Sequence, residues 1–260
     1  MQAMNMVGSR TDTPVLEVAR INVWKNRHWI LRNVSLTVPR SSVVVLVGPN
    51  GSGKTTFLRS LAGVLMSLDG WETSGRLSFG FSRADEFSKS YFGQVLRPVE
   101  EMTVAEFLAL ASDLDRRRTA EGPEGPLFMT KHLRVRDALG VEELKNVGLS
   151  QLSGGQWQRV RLAQCLSKDA QVCILDEPDA FLDVYWRSVL KGLIEARRRA
   201  GDLVVLSVHR PAEWAGCATH WVGLDGGEVK FVEAGADSFP AVMMERLFLG
   251  KSLDSSEGVD

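Results

Sequence analysis

One stretch, Gly48-Pro49-Asn50-Gly51-Ser52-Gly53-Lys54-Thr55-Thr56, has the residue types and spacing to hold a polyphosphate. It matches G-x-x-x-x-G-K-[ST] and lies between the apolar run Val43–Val47 and a helically periodic segment from Thr55. Gly48, Gly51 and Gly53 let successive backbone N–H groups turn inward toward one anion. The helix that follows adds its positive N-terminal end. Lys54 brings a full charge to the β and γ phosphates, and the Thr55 hydroxyl can ligate Mg2+. Such a loop implies nucleotide binding. It does not choose among kinase, GTPase and ATPase chemistry.

Two further clusters can work with it. The run Val172–Leu175 (VCIL) ends in Asp176, and a carboxylate at the tip of a buried strand can hold Mg2+ directly or through water. Glu177 comes next and is placed to polarise an attacking water. Leu152-Ser153-Gly154-Gly155-Gln156 opens a second helical segment. Ser153 suits its N-cap. The two glycines leave the first N–H groups uncovered, which makes a second anion-binding helix end in one chain.

The elements that must position these groups are visible in the hydropathy pattern. Val43–Val47 (VVVLV), Val172–Leu175 and Leu203–Val208 (LVVLSV) are almost continuously apolar, as strands buried on both faces of a parallel α/β sheet are. Each ends in Gly, Asp or His, so polar chemistry gathers at the C-terminal strand ends, where open parallel sheets bind ligands. Leu16–Trp24 is rich in β-branched and apolar residues. Leu31–Val38 alternates as a half-buried antiparallel strand does, and Leu77, Phe79 and Phe81 follow the same period. Asp225-Gly226-Gly227 predicts a hairpin turn between Trp221–Leu224 and Val229–Val232. Helical periodicity covers Thr55–Leu65, Val104–Leu114 (with Thr103 as cap), Gln156–Ser167 and Val184–Ala200. The triplet Arg197, Arg198, Arg199 reads as a solvated helix end that suits the negative pole of the dipole. Arg116–Lys131 reads as a long surface loop. Trp71, Trp157, Trp186, Trp214 and Trp221 read as packing residues, and His220 as a packed or exposed histidine rather than a ligand.

A chain of 260 residues, 44% hydrophobic and 24% charged, suits one domain or one domain with an inserted subdomain. The net charge of -1 gives nucleic acid no chain-wide electrostatic advantage, so no nucleic-acid partner is expected. Cys165, Cys173 and Cys217 make no disulfide framework, and four histidines offer no zinc spacing. No apolar run reaches the roughly 18 residues a membrane span needs. The polar segment before Pro14 lacks the apolar stretch of a secretory signal. Residues 1–14 and 251–260 read as disordered, and 15–250 as a single domain.

Taken in order, these residues resemble the nucleotide-binding domains of ABC transporters. GPNGSGKTT is similar to Walker A, LSGGQ to the signature motif, and VCILDEP to Walker B with its catalytic glutamate. Gln94 lies where the Q-loop glutamine would be. Ala180-Phe181-Leu182-Asp183 resembles the D-loop, and His209 resembles the switch histidine. The resemblance implies a P-loop NTPase core of ABC type with an antiparallel β subdomain and an inserted helical signature subdomain at about 85–165. It implies a homodimer or heterodimer that sandwiches two Mg-ATP, each between Walker A of one subunit and the signature of the other. Ser153, Gly154, Gly155 and Gln156 would then contact ATP bound by the partner, and Asp183 would link the two sites. A second phosphate-binding helix end, redundant within one site, is useful across such an interface. Glu177 would activate water, His209 would hold the γ-phosphate, and Gln94 would join Mg2+ and report to a membrane partner. Trp24 is the candidate to stack on adenine, with His28 and Trp29 near it. Three departures stand out: the spacing after Trp24, Asp179 and Phe181 in place of small D-loop residues, and Arg40-Ser41-Ser42 where a Gly-Glu pair is typical.

Family members with one site set and no membrane span are separate subunits that dock onto a permease on the cytoplasmic side of the cell membrane. The docking groove would lie near Gln94 to Thr103. Met243 to Gly250 is similar to the short terminal helix of importer subunits for iron–siderophores, haem and cobalamin. The resemblance therefore favours an importer of a small solute such as a metal chelate, with a solute-binding protein as a further partner. The alternatives are an exporter subunit, as in haem export, and a soluble ABC ATPase acting on a protein or nucleic-acid complex.

Overall fold

The computed structural model describes residues 14–65, 68–81, 88–93, 102–110, 134–235, 245 and 247. The expected disordered ends, the loop Arg116–Lys131, Gln94, and most of the expected terminal helix lie outside them.

Three apolar runs become the centre of a six-stranded sheet. Its order is β5-β6-β7-β3-β8-β9, built from β3 (Val43–Val47), β5 (Lys89–Phe92), β6 (Val172–Asp176), β7 (Leu203–Ser207), β8 (His220–Asp225) and β9 (Glu228–Ala234). All neighbours are parallel except β8 and β9, the expected hairpin, which turns at Gly226 and Gly227 with φ of 55° and 80°. Continuous apolarity has the physical cause inferred from it. Val43, Val45, Cys173, Leu175 and Leu206 pack on one face, against the helix α4 (Gly154–Ser167) and the helix α5 (Val184–Arg199). Val44, Leu46, Ile174 and Val205 pack on the other, against the helix α1 (Lys54–Ala62) and a second sheet.

That second sheet is antiparallel, order β2-β1-β4, from β1 (Pro14–Lys25), β2 (His28–Pro39) and β4 (Trp71–Phe79). β4 starts earlier than the Leu77–Phe81 alternation suggested, and Phe81 falls beyond it. The four-residue β5 has too little pattern to be seen in the sequence. β2 meets the main sheet where Arg32 N donates to Gly227 O at 2.8 Å. The turn from β2 to β3 puts Ser41 at φ 56°, a left-handed position at which a glycine would be unstrained.

Two short helical stretches, α2 (residues 104–110) and α3 (residues 134–138), lie in the chain between β5 and β6. Thr103 caps α2 as expected: Glu106 N donates to Thr103 Oγ1 at 3.3 Å, and Thr103 N to Glu106 Oε2 at 2.8 Å.

One expectation is overturned. Arg197 is not a solvated end of α5 but is buried, 6% exposed. Its guanidinium donates to the carbonyls of Leu166, Lys168 and Ala170 and pairs with Asp202 at 3.0 Å. An arginine has enough donors to satisfy several carbonyls in the link from α4 to β6 at once, which offsets the loss of its own hydration. Arg199, by contrast, is 74% exposed and, among the described residues, pairs with Glu195 alone. Replacing Arg197 by alanine is expected to lower unfolding free energy by about 3 kcal/mol or more. Arg199→Ala should cost under about 1 kcal/mol. Denaturant melts of the two variants check the contrast.

Candidate functional site

The loop residues 48–53 curl between β3 and α1. Gly48 has φ 152°, and a Cβ there would lie 2.0 Å from the Leu224 carbonyl oxygen, so no other residue fits. Ser52 is 2% exposed, and its hydroxyl is without a hydrogen-bond partner among the described residues. Ser52 N donates to Pro49 O at 3.2 Å, and Gly227 N donates to Ser52 O at 3.1 Å. The loop is thus tied to the β8–β9 turn. Asn50 and Gly51 are exposed; Pro49, Gly53, Thr55 and Thr56 are half-buried. Lys54 Nζ donates to the carbonyls of Gly48 and Pro49 at 2.8 and 3.0 Å, folding back over the loop. Burial draws its ammonium below the usual lysine range, against the pull of Glu177 and Asp176. A cation held this way is ready for an anion inside the loop.

Asp176 ends β6 and is 2% exposed. Its Oδ1 accepts from Thr55 Oγ1 at 3.2 Å and from Ser207 Oγ at 2.7 Å. Its Oδ2 is buried with no partner among the described residues. A hydroxyl beside a carboxylate with a vacant oxygen is the donor set of a hard cation that takes its remaining ligands from water and phosphate. Among the described residues no cluster of three or more His, Cys, Asp and Glu could hold a metal by itself.

Glu177 has φ 52°, a strained left-handed conformation for a residue with a side chain. Two contacts hold it there. Glu177 N donates to Ser207 Oγ at 3.0 Å, and Gln158 Nε2 reaches Glu177 O at 3.3 Å and Pro178 O at 3.1 Å. The side chain turns toward His209, with Nε2 to Oε2 at 2.8 Å. His209 is 54% exposed, so its ring can turn to another partner at little cost.

Walker-like loop, Asp176, Glu177 and His209 are therefore brought together at the C-terminal ends of β3, β6 and β7. Residues 153–156 are not hydrogen-bonded to them among the described residues. Ser153 caps α4 and stays exposed; Gln156 N donates to its Oγ at 3.2 Å, and Ser153 N to Gln156 Oε1 at 2.8 Å. Gly155 has no room for a Cβ, which would lie 2.9 Å from the Phe181 carbonyl oxygen. The segment 180–183 thus packs on the opening of α4. Asp183 caps α5 by accepting from Trp186 N at 2.9 Å and remains exposed. Trp24 and Trp29 face each other across the β1–β2 hairpin, ring centroids 4.4 Å apart. Trp29 is 46% exposed, and the carbonyl of the next residue, Ile30, sits against Gly53.

Sequence reasoning missed Ser207 and Gln158. Ser207 was the polar break in LVVLSV, and the β6–β7 register that pairs it with Asp176 is a long-range property. Removing the hydroxyl leaves a buried carboxylate oxygen and the Glu177 N–H each short of a partner. Ser207→Ala is expected to lower unfolding free energy by about 1–3 kcal/mol. Equal chemical-denaturation midpoints for variant and parent would show that the hydroxyl bridges nothing of consequence.

Comparison with known proteins agrees with this geometry. The family model for ABC transporter matches residues 31–180. The zinc import ATP-binding protein ZnuC of Chelativorans sp. is 32% identical over 205 residues, 77% of this chain and 65% of that protein. The match thus spans just under two thirds of ZnuC. The probable ABC transporter ATP-binding protein PEB1C of Campylobacter jejuni is 27% identical over 245 residues, 92% of this chain and 99% of that one. A solved ATP-binding subunit of an ABC transporter superposes with a TM-score of 0.71 at 24% identity, covering 85% of this chain and 90% of that structure; it supports the fold alone. With more than half of its 260 residues matched by the family model, the chain belongs to the ABC transporter family.

Proposed function

We propose that this chain is the ATP-hydrolysing subunit of an ABC transporter, that two copies close head to tail around two Mg-ATP, and that closure drives a separate permease. The observation that carries the reading is the pairing of Glu177 with His209 at 2.8 Å beside a buried Asp176 and a curled phosphate loop. Mg2+, held by Thr55 Oγ1 and the open oxygen of Asp176, would neutralise charge between the β and γ phosphates. Lys54 turns its ammonium from the loop carbonyls to the phosphates. His209 turns its Nε2 from Glu177 to the γ-phosphate and so frees the carboxylate. Glu177 then accepts a hydrogen bond from the attacking water and aligns it. The Ser153 hydroxyl and the first N–H groups of α4, from the second copy, complete the cradle and stabilise the developing charge. Asp183, exposed beside that helix, would meet the opposite subunit. The Trp24–Trp29 face would receive adenine, with the more exposed Trp29 as the outer plane.

A membrane partner is supported by family membership. Among the described residues no helix is long and apolar enough to cross a membrane. Docking at the cytoplasmic face through the region around Gln94 is part of the same proposal. Import of a small solute such as a metal chelate is favoured by the likeness to a zinc import subunit. A solute-binding protein would then be a further partner.

Glu177→Gln should keep ATP binding, slow hydrolysis on the order of 100-fold or more, and accumulate an ATP-bound dimer. Ser153→Arg should bind ATP as a monomer and fail to dimerise. Hydrolysis assays and size-exclusion light scattering with Mg-ATP read both. Parent-like turnover of Glu177→Gln would remove that residue from its role, and an ATP-induced dimer of Ser153→Arg would remove the cross-subunit role of α4.

A further inference from the structure

Asp179 stands two residues beyond Glu177, where the resemblance to ABC nucleotide-binding domains implies a small residue. It is 7% exposed, and the reaction as derived above does not use it. Its Oδ2 accepts from the indole Nε1 of Trp214 at 3.2 Å, and its Oδ1 is buried without a hydrogen-bond partner among the described residues. Trp214 is fully buried and closes the short 3-10 helix Pro211–Trp214, which starts two residues after His209. The same turn is fastened to α5. Arg187 pairs with Glu213 at 3.4 Å, Lys191 Nζ donates to the Glu213 carbonyl, and Lys191 lies over the Trp214 ring.

Two cross-links therefore flank the Glu177–His209 pair. On the strand side, Ser207 bridges Asp176 and Glu177. On the far side, Asp179 joins Trp214. Between them the backbone from 177 to 182 is fixed by Ala180 N on Glu177 O at 3.2 Å and Leu182 N on Asp179 O at 3.3 Å. Apolar packing alone would seat Trp214. A buried carboxylate costs hydration, which two neutral donors, the Trp214 indole and its own backbone N–H, offset only in part. What the bond adds is position: it fixes the turn that carries His209 relative to the turn that carries Glu177. Burial lifts the Asp179 carboxyl above the usual aspartate range, with the indole bond, its own backbone N–H and His209 opposing.

We propose that Asp179 is a positioning residue for hydrolysis, acting through Trp214 to hold His209 in register with Glu177. The inference rests on Glu177 and His209 being the hydrolytic pair. Trp214→Phe keeps the ring and removes the donor. Its kcat should fall about fivefold to tenfold with KM for ATP within about twofold, because a hydrogen bond that aligns the reacting state is lost and nucleotide contacts are not. Asp179→Ala should match it, and Asp179→Asn, which still offers an oxygen to the indole, should recover most of the loss. In a His209→Ala background, Trp214→Phe should lower kcat no further, whereas a purely structural role would add its own loss and lower Tm. Parent-like kcat in both Trp214→Phe and Asp179→Ala, or an additive loss in the double variant, would overturn the brace while leaving the hydrolytic pair intact. Parent-like kcat in His209→Ala itself would instead overturn the reading on which the brace rests.

Discussion

The buried carboxylate of Asp176 is the constraint on which the rest of the site depends. A charge at the end of a strand buried on both faces must be compensated or it destabilises the fold. Here Thr55 and Ser207 supply one oxygen with hydroxyl donors, and the other oxygen is buried without a hydrogen-bond partner among the described residues. Those two partners come from the first helix after the phosphate loop and from the adjacent parallel strand. One carboxylate therefore ties the C-terminal ends of β6 and β7 to the start of α1, within a spacing that the strand ladders set. The same Ser207 hydroxyl takes the Glu177 N–H, so the strained backbone that aims Glu177 at His209 follows from the same bond.

A second constraint acts at the opening of α4. The Phe181 carbonyl sits so close to Gly155 that a side chain is excluded there. Gln158 on the same helix holds the carbonyls of Glu177 and Pro178. The helix whose N-terminus is proposed to serve a second copy is thus wired to the turn that carries Glu177 of its own copy. Movement of either would be felt by the other, which is a physical route for coupling two sites without a relay through the core.

Much of this was legible in the residues. The phosphate loop, Asp176, Glu177, the α4 cap and the β8–β9 hairpin are local in sequence, and their patterns are set by backbone sterics and periodicity. What was hidden depends on register between distant segments. Ser207 and Gln158 look like ordinary polar breaks in apolar runs until strand pairing and helix packing place them. Arg197 sits where a helix-end arginine usually reaches water; only the course of 166–170 shows three carbonyls waiting for it. Trp214 packs, as expected, but its indole N–H has a partner that periodicity cannot reveal.

In the proposed dimer a working site is composite, with the phosphate loop of one copy facing the signature helix of another. Complementation measures it directly. A Lys54→Ala chain and a Ser153→Arg chain should each be inactive alone, since Lys54→Ala damages the phosphate loop of every site it forms and two Ser153→Arg chains do not close on each other. Mixed, they form a heterodimer in which one site holds both lesions and the other holds none, so ATPase activity should return on mixing. Absence of activity in mixtures shown to contain the heterodimer would contradict a site shared between two chains.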